Sequence, residues 1–149
     1  MVTQSGGGPD LSIEYPDGWT EVEGVLGTVV AVIAPSDDDR AFRANFNVVV
    51  HEPNEPTGIG ELRAQHAPTL VGAFDEPRLI DDGDAEVAGQ AASRILITYD
   101  LDGEDLTLEQ WMVPVGSHTV TFSATSLTVD YARFASDFSE ILGSARLDV

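Results

Sequence analysis

The chain has 149 residues, enough for one domain with a hydrophobic core of its own. Its 42% apolar share is ordinary for a globular protein, and no apolar run approaches the roughly 20 residues that a membrane-spanning helix needs. Twenty-six Asp and Glu face seven Arg and no Lys, a formal charge of −19 that disfavours nucleic acid and anionic lipid surfaces, and the absence of Cys excludes disulfides, thiolate metal sites and a cysteine nucleophile.

In chain order, residues 1–10 read as a flexible leader because of the run Ser5-Gly6-Gly7-Gly8, and 11–149 as a single domain. The start carries no secretion signal, so the chain as it stands is expected in the cytoplasm; an envelope location calls for a lipoprotein signal upstream. Leu11-Ser12-Ile13-Glu14-Tyr15 alternates apolar and polar residues, a half-buried strand. Pro16-Asp17-Gly18 is turn chemistry, and Trp19 then caps the edge of the core. Gly27 to Ala34 is β-branched and continuous, a central strand closed by Pro35 and a solvated loop at Asp37–Asp39. Phe42 to His51 follows, with Phe46, Val48 and Val50 on one face and Asn45, Asn47 and Val49 on the other.

Pro53 and Pro56 break that strand, and Thr57 is placed to cap a helix. Ile59, Leu62, His66 and Leu70 share one face of it, and it ends near Gly72. Pro68 is expected to kink or split it. Arg78-Leu79-Ile80 and Ala85-Glu86-Val87 read as two strands around an acidic turn, Asp81–Asp84, with another turn at Gly89-Gln90. Three strands follow, Ala92 to Tyr99, Leu106 to Val115 and His118 to Thr125, joined by hairpins at Asp102-Gly103 and Val115-Gly116-Ser117. Tyr131, Phe134, Phe138, Ile141 and Leu142 recur at helical spacing, and Gly143 stops the helix. The fold class is α+β, with helices packed on an antiparallel sheet.

No catalytic or cofactor pattern emerges. His51, His66 and His118 lack metal-ligand spacing and read as turn and packing residues. No Gly-x-Ser-x-Gly turn occurs, and Ser117-His118 belongs to a hairpin. Asp100 to Asp105 offers carboxylates for calcium, but its glycine comes too early for the twelve-residue loop, and a two-residue hairpin explains Asp102-Gly103. No glycine-rich segment joins a strand to a helix in a phosphate-cradling pattern. Catalytic residues, metal and cofactor are therefore all expected to be absent.

One polar feature remains. Thr119, Thr121, Ser123 and Thr125 project to one side of the last strand, opposite Val120, Phe122 and Ala124. Asn45 and Asn47 supply a similar row, and Gln110 a further amide. If those strands pair, these seven residues form a polar face suited to a peptide or small ligand; the alternative is a face that is merely solvated or covered by a helix. Trp19 and Trp111 are assigned to the core.

Several short motifs also carry a resemblance. Ile13-Glu14-Tyr15-Pro16-Asp17-Gly18-Trp19 resembles the strand and Tyr-Pro-x-Gly-Trp opening of the PsbP/Mog-like superfamily. Asp81 with Gly89-Gln90-Ala91-Ala92, the pair Glu109–Val113 and Val120–Thr125, and the closing Phe138, Ile141-Leu142 and Ser144-Ala145-Arg146 follow in the superfamily's order. The likeness runs from Leu11 to Leu147 and is similar to the bacterial branch of DcrB and actinobacterial LpqN-type proteins, although the acylated Cys of the lipoproteins is missing. It implies a twisted antiparallel sheet with helices on both faces. Members include photosystem accessory subunits, a GTPase-binding factor, envelope lipoproteins and secretion-effector chaperones, with no shared active site. The resemblance thus implies a non-catalytic module that binds a protein or peptide, an adaptor or chaperone for a secreted or envelope protein, or alternatively an envelope-associated ligand-binding domain. An enzyme is the third reading. A free edge strand would also permit a homodimer.

Overall fold

The computed structural model describes Val2–Gln4 and residues 9–23, 29–35, 42–52 and 58–148. Seven strands form an antiparallel sheet: β3 (Thr20–Glu21), β4 (Val30–Ile33), β5 (Asn45–His51), β6 (Asp75–Val87), β7 (Gln90–Leu101), β8 (Glu104–Val115) and β9 (His118–Leu127). Their spatial order is β3-β4-β5-β9-β8-β7-β6. Helix α1 (Ile59–Gly72) joins β5 to β6, and helix α2 (Tyr131–Gly143) follows β9 through a 3-10 turn at Thr128–Asp130. Beside this sheet, β1 (Val2–Gln4), β2 (Asp10–Ile13) and β10 (Arg146–Asp148) make a second, three-stranded antiparallel sheet.

Alternation along the strands assigns the helices to opposite faces. Trp111, Val113, Val120, Phe122, Phe46 and Val48 point to one side, where Phe138 and Ile141 of α2 complete a buried cluster. Complete burial of a side chain such as Phe138 contributes about 2–3 kcal/mol. Trp19 closes the edge of this core, packed edge-on against Phe134 and Phe138 with ring centroids 6.2 Å apart. On the other side, Leu70 of α1 packs with Ile95, Ile97, Tyr99, Leu106, Leu108 and Leu127, and Phe74 stacks on Tyr99 at 4.0 Å. The α+β class and the helices on both faces match the expectation, as do both tryptophans in the core.

Three local readings need correction. The acidic turn at Asp81–Asp84 does not exist: these residues pair with β7 inside a single strand, β6, that spans Asp75–Val87. It is the outermost strand, so its carboxylates stay in water while β7 supplies its backbone partners. Of the two outcomes expected at Pro68, the split does not occur: α1 continues through it to Gly72. The bond it forgoes would go to the Ala64 carbonyl, and both residues lie on the helix's exposed side, where water can donate to that carbonyl instead. The second turn is Ala88-Gly89, not Gly89-Gln90; both residues take positive φ, 53° and 78°, and Gln90 already belongs to β7. Within the stretch expected as a leader, Val2–Gln4 pair with Leu11–Ile13, and Asp10 opens β2. Gly27-Thr28, the Asp37–Asp39 loop and the Thr57 cap lie outside the described residues; the residue that precedes α1 is Gly58, with no side-chain capping bond.

Candidate functional site

Strand pairing gathers the predicted polar residues on one surface. Asn45 lies opposite Thr125, Asn47 opposite Ser123, and His51 opposite Thr119, while Gln110 sits opposite Ser123 on the other side. Successive strands present the same face at paired positions, so all seven share the side covered by α1. Gln110 donates through Nε2 to Ser123 Oγ at 3.0 Å, and Asn45 Nδ2 turns to the Arg43 carbonyl at 3.3 Å.

Helix α1 covers only part of this surface. It lies over β6, β7 and β8 and leaves a groove of about 370 Å³ along its flank. Leu62, Gln65, His66, Thr69 and Leu70 form the helix wall; Gln110, Met112, Thr119, Thr121 and His51 form the sheet wall. Of the predicted residues, Gln110, Thr119 and Thr121 line the groove, whereas Asn45, Asn47, Ser123 and Thr125 extend the same face outside it. Among the described residues that line it, none is Asp, Glu or Arg, although the chain carries 26 acids. The volume is within the range of small-ligand pockets.

A polar chain sits at the base of the groove. His66, 3% exposed, places Nδ1 2.8 Å from Ser93 Oγ and Nε2 2.9 Å from Gln110 Oε1. Arg63 Nη1, which can only donate, contacts Ser93 Oγ at 3.2 Å. Ser93 is therefore free to direct its own proton to Nδ1, His66 donates from Nε2 to Gln110, and Gln110 donates to Ser123. The resulting imidazole is neutral. Burial pushes its pKa below the usual 6.5; the Gln110 bond opposes that and the Arg63 charge reinforces it. Both ring nitrogens are occupied within the fold, so His66 serves as a strut between α1 and the sheet.

The remaining histidines differ. His51 is exposed at the groove mouth, and His118 lies 3.7 Å from Glu52 with Ser117 Oγ at 3.2 Å from its Nδ1. Among the described residues no three His, Asp or Glu side chains gather in a way that suits a metal.

On the opposite face a second polar cluster is structural. Glu109, 8% exposed, accepts from Arg94 Nε at 2.7 Å and from the Tyr131 hydroxyl at 3.0 Å, and Arg94 Nη1 reaches Asp81 at 2.9 Å. Burial, then the neighbouring Glu109 charge and bond, push Tyr131 up to about 12. This cluster ties β6, β7, β8 and α2 together, and nothing in the spacing of these residues announces it.

No family model and no characterised protein matches the chain by sequence. Solved structures do match by shape. LpqN, described as involved in cell envelope biogenesis of Mycobacterium tuberculosis, superposes with a TM-score of 0.80 over 99% of this chain and 90% of its own, at 14% identity. The cyanobacterial PsbP protein of Synechocystis sp. PCC 6803 superposes at 0.68, with 14% identity over 92% and 86% of the two chains. The fold is PsbP/Mog-like. The Saccharomyces cerevisiae Ran-binding protein Mog1p extends the group, at TM-score 0.60 and 13% identity over 92% of this chain and 89% of that one. At such identities the PsbP/Mog-like likeness establishes architecture, and function rests on the groove. Among the described residues, no helix is long and apolar enough to cross a membrane.

Proposed function

We propose that this chain is a non-catalytic interaction module that holds a segment of a partner protein in the groove between α1 and the β8–β9–β5 surface, as an adaptor or chaperone for a secreted or envelope protein. The observation that carries the reading is a groove whose described lining holds no Asp, Glu or Arg, in an otherwise strongly acidic chain. Leu62, Leu70 and Met112 offer apolar contact, while Gln65, Thr69 and Thr121 offer hydrogen bonds that fix the orientation of a bound segment. His66, at the base, spends both nitrogens on Ser93 and Gln110, which supports binding over proton transfer. The Ran-binding description of the yeast neighbour is in keeping with a fold that serves protein partners.

A second reading, an accessory domain at the cell envelope, is favoured by the near full-length likeness to LpqN. The groove would then hold an envelope ligand instead of a peptide.

The chain contains no Cys, so one introduced thiol is unique. A photo-cross-linker attached at Thr69→Cys, on the groove lip, is compared in the native host with one at Glu140→Cys on the exposed side of α2. The module reading predicts discrete protein adducts from position 69 that position 140 does not give. Lipid or small-molecule adducts at position 69 support the envelope reading, and identical adduct patterns at both positions refute a groove site.

A further inference from the structure

The outer edge of the large sheet carries a pattern that the groove does not use. Strand β6 ends the strand order, so one side of its backbone has no strand partner among the described residues. Two irregularities interrupt its first half, between Asp75 and Arg78 and between Leu79 and Asp81. From Asp81 to Val87 the register with β7 is regular, Asp81 opposite Leu96 through Val87 opposite Gln90. This stretch is regular enough in its pairing to template another strand.

Its side chains sort by face. Asp84 pairs with Ser93 and meets Arg63 of α1 at 3.0 Å, so Asp82, Asp84 and Glu86 lie on the α1 side. All three are exposed. Asp81, Gly83, Ala85 and Val87 lie on the α2 side, where Val87 is buried and Ala85 packs on the main core. The edge thus shows a row of carboxylates on one face and, past Asp81, small apolar positions on the other.

We propose that the β6 edge between Asp81 and Val87 accepts an extended peptide of alternating basic and apolar residues as an eighth strand of the sheet. Backbone bonds to the open edge hold the added strand; its basic side chains lie beside Asp82, Asp84 and Glu86, and its apolar ones beside Gly83, Ala85 and Val87. The same row discriminates against a second copy of the chain. Two β6 edges paired antiparallel about Asp84 would set Asp82 against Glu86 twice and Asp84 against itself, like charges in direct opposition. The edge is therefore closed to self-association of that kind and open to a cationic strand. This site is separate from the groove, and its fate is independent of the groove reading.

The test uses the full chain and capped synthetic peptides: alternating Lys-Val, alternating Glu-Val, and a Lys/Val peptide of equal composition in blocks. Binding is followed by fluorescence anisotropy at low salt and located by backbone amide hydrogen exchange. The alternating Lys-Val peptide is expected to bind and to slow exchange within residues 81–87. Its affinity falls by roughly tenfold in an Asp82→Lys/Glu86→Lys variant, and by less in Asp82→Asn, because exposed pairs change from attraction to repulsion or to nothing. Equal binding of the blocked or Glu-Val peptide, protection elsewhere than 81–87, or unchanged affinity in the folded double variant overturns the proposal.

Discussion

Replacing His66 by Ala tests the polar chain beneath the groove. The ring is 3% exposed and holds two hydrogen bonds, to Ser93 and to Gln110. Two such bonds contribute about 1 kcal/mol each in net terms. Truncation also leaves a cavity, but this one opens to the groove, where water enters, so that term stays near about 1 kcal/mol. The expected loss is about 3 kcal/mol, a sizeable part of the 5–15 kcal/mol typical of small domains and readable by urea denaturation. The pH dependence supplies the sharper test. Burial keeps the folded His66 pKa below 6.5, so the folded state resists a proton that the unfolded chain accepts. The stability that His66 contributes is complete above about pH 6.5 and is lost progressively as the pH falls below it toward the folded pKa, by about 1.4 kcal/mol for each unit separating the two. The many carboxylates are common to both proteins and cancel in the difference. The gap between wild type and His66→Ala is therefore expected to shrink from about pH 7.5 to about pH 5. A gap that stays constant, or widens toward acid, would show a charged imidazole in the fold and refute the assigned hydrogen-bond direction.

Other expectations follow from the opposite face and from the overall charge. Glu109→Ala leaves Arg94 and the Tyr131 hydroxyl without their shared acceptor and should cost about 2–4 kcal/mol by chemical denaturation, whereas Asp81→Ala, whose side chain is largely exposed, should cost under about 1 kcal/mol. All three tyrosines are raised above 10.0, Tyr131 to about 12, so ultraviolet titration should show little tyrosinate at about pH 10 while the fold persists, and Tyr131→Phe should remove the last-titrating component. Because a raised tyrosine pKa stabilises the fold below the unfolded value, the stability owed to Tyr131 should be lost as the pH rises from about 10 toward about 12. With a formal charge of −19, the melting temperature should climb as NaCl rises from about 0.02 M to about 0.5 M; a temperature independent of salt would contradict carboxylate self-repulsion.

The residues reveal local structure far better than they reveal which elements meet. The β7–β8–β9 meander was legible because Asp102-Gly103 takes positive φ at both positions, as a tight hairpin demands, and because β-branched alternation flanks it. Helix α2 was legible from Phe138 and Ile141, which do reach the core. Strand β6 was misread because Asp81-Asp82-Gly83-Asp84 has turn composition, and only its place at the sheet edge makes such residues tolerable in a strand. The polar face was half legible: strand period puts Thr119 and Thr121 on one side, and the register adds Asn45 and Asn47. The other half of the groove was not. His66 meets partners 27 and 44 residues away, and no spacing within Ile59–Gly72 says which strands the helix will cross.

Occupancy of the groove is decided most directly by filling it. Thr121 points into the groove from β9, so Thr121→Trp is expected to occupy the space beside Met112 and His51 while the sheet stays intact. Cross-linking from Thr69→Cys is then repeated with and without that second substitution in the native host. Disappearance of the position-69 protein adducts in the filled, folded variant is the predicted result; adducts of unchanged identity and yield would contradict the claim that partners bind between α1 and the sheet.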